Sequence, residues 1–114
     1  MKQLKIATTL FLLLTFSGFA QSDKVIEKAN EKVEEINTQI ITGDRSQALS
    51  EAQRFEVKLL FINRSRELEN AREAGTYEAD NKAIIKKYSQ KLFKEVLTKD
   101  QMKARKKGKE LLSN

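Results

Sequence analysis

No cysteine, histidine, proline or tryptophan occurs in this chain, and only four of its 114 residues are glycine. Without cysteine there is no disulfide, no thiolate metal site and no lipid anchor on a cysteine. Without histidine as well, the assisted nucleophiles and the usual zinc and copper ligand sets are missing. No glycine-rich phosphate loop is present either. Carboxylates alone remain for acid–base work, and Glu34 with Glu35, Glu67 with Glu69 and Glu78 with Asp80 fall on helix faces expected to meet solvent. The chain is therefore expected not to be an enzyme and to need neither cofactor nor metal. The same scarcity of proline and glycine, with 33% of residues charged, predicts an all-α fold.

The first residues look like an address. Lys2 and Lys5 precede the apolar run Ile6–Phe16, and Gly18-Phe19-Ala20 places small residues where a signal peptidase reads. Ile6–Ala20 is shorter than the roughly 20 apolar residues that span a bilayer, so residues 1–20 are expected to be a signal peptide cleaved after Ala20. The remaining residues, 21–114, suffice for one small domain. They carry 20 basic and 16 acidic side chains, a net charge of +4, unevenly placed. Residues 21–81 hold 9 basic and 13 acidic groups, and residues 82–114 hold 11 and 3. The domain is acidic first and basic last.

Two pentads punctuate it: Leu49-Ser50-Glu51-Ala52-Gln53 and Leu97-Thr98-Lys99-Asp100-Gln101. In each, a hydroxyl residue at the N-cap can accept from the first turn while the Gln three residues on reaches back, which makes a capping box. Leu49 and Leu97 stand where a hydrophobic staple begins; Met102 suits the far side of the second, whereas Arg54 leaves the first imperfect. Glu51 and Asp100 suit the positive end of the helix dipole.

Around these starts the apolar spacing predicts four helices. The first runs from Asp23 to about Ile40 with a narrow stripe of Ile26, Ala29, Val33, Ile36 and Ile40, followed by a loop at residues 42–46. The second runs from Glu51 to about Ala74, stopped by Gly75. It has two apolar sides, one of Ala52, Phe55, Leu59 and Ile62, the other of Val57, Leu60, Phe61, Leu68 and Ala71. A third helix, from Tyr77 to about Val96 with Thr76 as cap, gathers Tyr77, Ile84, Ile85, Tyr88, Leu92 and Val96, with Phe93 at the margin among lysines. The fourth runs from Lys99 to about Leu112, with Met102 and Leu112 as its apolar side. Gly108 lowers its propensity by up to about 1 kcal/mol and predicts a frayed end.

Two such pentads in an exported helical chain resemble the LTXXQ-motif family of periplasmic helical proteins, the Spy/CpxP-like proteins. The second pentad is the full motif, and the first has Ser50 where the family has Thr. The resemblance implies a thin antiparallel arrangement of about four helices that pairs into a curved homodimer. It further implies a periplasmic holding chaperone that binds unfolded or partly folded envelope proteins without ATP. Histidines used by metal-sensing relatives are absent, which speaks against metal sensing. A surface combining a spare apolar face with lysine stems suits that function, since charge attracts over long range and apolar contact then holds.

The residues expected to contact clients are Phe55, Leu59 and Ile62 with Lys86, Lys87, Lys91 and Phe93. Val57, Leu60 and Phe61 form a reserve set, because either apolar side of the second helix can turn inward. Leu49, Ser50, Gln53, Leu97, Thr98 and Gln101 are assigned to helix capping. A second expectation is a stress-regulatory protein that binds the sensor domain of a membrane kinase. A third is contact of the basic tail with the anionic envelope surface; behind a signal peptide, nucleic acid is not expected as partner.

Overall fold

The computed structural model describes residues 23–114, and the expected signal peptide lies outside the described residues. Within them the fold is all-α. Helix α1 spans Asp23–Gly43, α2 Glu51–Ala74, α3 Tyr77–Lys91 and α4 Lys99–Leu112. A 3₁₀ turn, Arg45–Gln47, follows α1, and a π turn, Leu92–Val96, completes α3.

Helix α1 buries Ala29, Val33, Ile36 and Ile40, four of the five residues of its stripe. It lies along α4 and also against α2, which carries α3 on another side. The interior is built by Val33, Ile36 and Ile40 with Leu49, Val57, Leu92, Leu97 and Ala104, while Leu60, Phe61 and Val96 pack against it. Ile36, Ile40 and Val57 are fully buried, and such side chains contribute roughly 1.5–3 kcal/mol each through the area removed from water. The leucines that open both pentads are therefore core residues.

Two local devices end α1 and α2. Helix α1 continues through Gly43, three residues beyond the expected end at Ile40, and only then does Asp44 turn the chain. Its Oδ1 accepts from the Ser46 N–H at 3.0 Å and the Ser46 hydroxyl at 2.7 Å, and these bonds hold the carboxyl below its ordinary range. At the end of α2, Gly75 adopts φ 78°, a left-handed conformation natural to glycine. Its N–H donates to the Arg72 carbonyl at 3.1 Å and the Thr76 N–H to the Ala71 carbonyl at 2.8 Å, a Schellman closure. Thr76 does not cap α3 with its side chain, because its φ and ψ, −111° and 12°, lie outside the extended region that an N-cap needs.

The π turn has a packing reason. Residues five apart on a regular α-helix point about 140° from each other, so Leu92 and Leu97 could not both face the interior. The wider turn lets the Leu97 N–H reach the Leu92 carbonyl at 3.0 Å, and both side chains are buried.

Helix α4 departs most from expectation. Met102 and Leu112, its expected apolar side, are 37% and 55% exposed, and the helix instead buries Gln101, Ala104 and Gly108. A Cβ added to Gly108 would lie 2.8 Å from the Gln39 carbonyl carbon and 3.0 Å from the Gly43 nitrogen; one on Gly43 would lie 2.7 Å from the Ala104 carbonyl carbon. The two backbones thus touch at a crossing of glycines. Gly108, expected to loosen the helix end, is what lets α4 settle on α1, and the helix persists to Leu112.

Candidate functional site

Both capping boxes are closed. The Ser50 hydroxyl accepts from the Gln53 N–H at 3.1 Å, and Gln53 Oε1 accepts from the Ser50 N–H at 3.0 Å. Thr98 and Gln101 repeat the pattern at 3.1 and 3.0 Å. Each Gln then uses its amide group on the other pentad. Gln53 Nε2 donates to Gln101 Oε1 at 2.7 Å and to the Val96 carbonyl at 2.8 Å. In return Gln101 Nε2 donates to Gln53 Oε1 at 2.9 Å and to the Gln47 carbonyl at 3.1 Å. All four amide N–H donors are satisfied, so a buried Gln101, 5% exposed, carries no desolvation penalty from an idle donor. The first pentad is tied to α1 as well, since the Leu49 N–H donates to Asn37 Oδ1 at 2.9 Å. This knot fixes the starts of α2 and α4 relative to each other.

The knot positions the π turn and, through it, the basic face of α3. Ile85 and Phe93 are 39% and 40% exposed, beside the exposed Lys82, Lys86 and Lys94. Lys87 is engaged: its Nζ donates to both Glu67 carboxylate oxygens, at 2.9 and 2.8 Å. The buried Tyr88 hydroxyl donates to the same carboxylate. Burial opposes the charge on Glu67, but the bonds from Lys87 and Tyr88 outweigh it and hold the carboxyl below its ordinary range. Burial and the bond to Glu67 push the Tyr88 phenol well above its usual range. Glu67, expected on a solvent face, is instead the clamp between α2 and α3. Lys91 lies 5.7 Å from the centre of the Tyr88 ring, and the Arg105 guanidinium 5.9 Å from that of Phe93.

The expected client residues do not form one patch. Val57, Leu60 and Phe61 turn into the core, so their side of α2 is the inward one. Ile62, grouped with Phe55 and Leu59 by sequence, is buried and offers no free surface. Phe55 and Leu59 remain half-buried. Phe55 borders a shallow groove with Val33, Glu34 and Lys58 that shares no residue with the hollow bordered by Phe93. Lys86, Lys91 and Phe93 stay exposed on the other side.

Residues that sequence reasoning passed over are Met102, Leu111 and Leu112 as surface groups. All three are exposed, on a helix bearing Lys99, Lys103, Lys106, Lys107 and Lys109. The hint lay in the sequence, where Ala104 and Gly108, four residues apart, mark the side able to approach another backbone.

Among the described residues no three acidic side chains cluster as a metal site, and no helix is long and apolar enough to cross a membrane. Comparison with known proteins adds no relative: no family model, no curated protein and no solved structure matches the chain.

Proposed function

We propose that this chain is an exported, periplasmic holding chaperone of the Spy/CpxP type, binding non-native proteins without ATP. The observation that carries the reading is the surface of residues 82–114. Ile85, Phe93, Met102, Leu111 and Leu112 are exposed there among eleven basic residues. Of those eleven, only Lys87 is in an ion pair among the described residues. Isolated apolar side chains in a field of unpaired lysines attract an unfolded chain by charge and retain it by many weak apolar contacts, neither of which selects a sequence. The LTXXQ-like pentads support the same reading as the scaffold that holds this surface. A homodimer, with the acidic part of one chain facing the basic part of another, belongs to the proposal.

The direct test is binding of a fluorescent, permanently unfolded polypeptide, compared with the folded form of the same protein. The reading expects the unfolded form to bind, with affinity falling as salt is raised. Equal indifference to both forms, with tight binding to one folded sensor domain, would replace it with the regulatory reading.

A further inference from the structure

All four helices border a partly open cavity of about 140 Å³. Its lining is mixed: Ile36 from α1, Leu60 and Phe61 from α2, and Leu92 and Phe93 from the π turn form an apolar part, and Tyr88, Ser89 and charged side chains complete the wall. A cavity of this size, on the scale of a benzene-holding void, admits one phenyl ring or a short alkyl group.

What sets it apart from a packing fault is charge. Arg64 and Arg105 both line it. The Arg64 guanidinium lies 4.5 Å from the centre of the Phe61 ring, and its Nε is buried with no hydrogen-bond partner. Arg64 is in no ion pair among the described residues, although buried guanidinium donors are normally matched. Arg105 enters from α4, where its Nε donates to Gln39 Oε1 at 2.8 Å. The one acid on the wall, Glu35, is paired with Lys32 at 3.2 Å, so the local balance is two positive charges. The cavity thus pairs one apolar portion with an arginine whose buried Nε has no hydrogen-bond partner.

We propose that this cavity binds a carboxylate carrying one phenyl or short alkyl group, with the apolar part between Phe61, Leu60 and Leu92 and the carboxylate on Arg64. Guanidinium and carboxylate match as a bidentate pair, which would supply the partner that Arg64 lacks. Two sources have this chemistry: a small free acid, and the C-terminal residue of a polypeptide whose last side chain is apolar. The cavity shares Phe93 with the lysine-bearing surface, but the proposal stands on Arg64, so binding of the acid and holding of unfolded chains are read out separately.

The experiment is a calorimetric titration of the purified protein with 3-phenylpropionate and with its neutral isostere 3-phenylpropionamide. Two short peptides ending in phenylalanine, one with a free carboxylate and one amidated, complete the set. The acid should bind and the amide should not. Arg64→Met, which keeps an unbranched stem but removes the guanidinium, should weaken the acid about tenfold or more, as expected for a lost hydrogen bond to a charged group. Lys86→Ala, outside the cavity, should leave it unchanged. If the free-carboxylate peptide binds more tightly than phenylpropionate, the ligand is a chain end; the reverse order makes it a small acid. Equal binding of acid and amide, or no binding of any probe to the unmodified protein, would overturn the proposal without reference to any variant's folding.

Discussion

Gln53 and Gln101, 48 residues apart, exchange two amide hydrogen bonds at 2.7 and 2.9 Å while each still closes its own helix cap. Local capping and long-range assembly therefore use the same two side chains. Removing either should strand buried partners on the other, at about 1–3 kcal/mol for Gln101→Ala. A double-mutant cycle in urea should give a coupling on the order of 1 kcal/mol, because the residues share a network. Simple additivity of the two substitutions would show that the pairing contributes nothing.

Gln101→Glu tests the donors specifically. The carboxylate retains the cap bond to the Thr98 N–H but cannot donate to Gln53 Oε1 or the Gln47 carbonyl. It should therefore destabilise at neutral pH and recover partly in acid, read by thermal melting at both.

Gly108→Ala separates propensity from packing. Propensity alone favours the substitution by up to about 1 kcal/mol. The added Cβ, however, would press on the Gln39 carbonyl, which is backbone and cannot swing aside. The net effect should be a loss on the order of 1–3 kcal/mol, as for an overpacked core. A gain in melting temperature would show that the α1–α4 crossing is looser than the structure has it.

The Glu67 clamp gives a pH dependence of known sign. With the folded pKa held below the ordinary 4.5, its contribution is present above that value and is lost as pH falls through the lower folded one. Tyr88 acts oppositely: its raised phenol contributes below the ordinary 10.0 and ceases to as pH rises through the folded value. Glu67→Gln should flatten the acid limb of stability, checked by melting curves from neutral pH down to about pH 3. An unchanged acid limb would remove Glu67 from the account.

The helices were legible because their signals are local: hydroxyl and Gln at the starts, Gly75 at a left-handed stop, and the Ala29–Val33–Ile36–Ile40 stripe. What was hidden depends on distance in space. Nothing near Gln53 announces Gln101, although the equal build of the two pentads is consistent with their pairing. Gly108 read as a weakness because propensity is a property of one helix, whereas its role is set by the Gln39 and Gly43 backbone of another. Of the two sides of α2, sequence could not choose, and Val57 at the centre of the core decides it. Of the residues expected to contact clients, Lys86, Lys91 and Phe93 are exposed, whereas Ile62 is buried and Phe55 borders a separate groove, because which side of α2 is covered depends on the neighbouring helices.

Holding of non-native chains is read out by suppression of their aggregation. A denatured, unrelated protein is diluted into buffer with and without this protein, in the absence of ATP, at low and moderate salt, with light scattering as readout. A holding chaperone should suppress the scattering near equimolar ratio, less so at higher salt and with Phe93→Ala combined with Lys86→Ala and Lys91→Ala. Undiminished scattering at every ratio of the unmodified protein would contradict it.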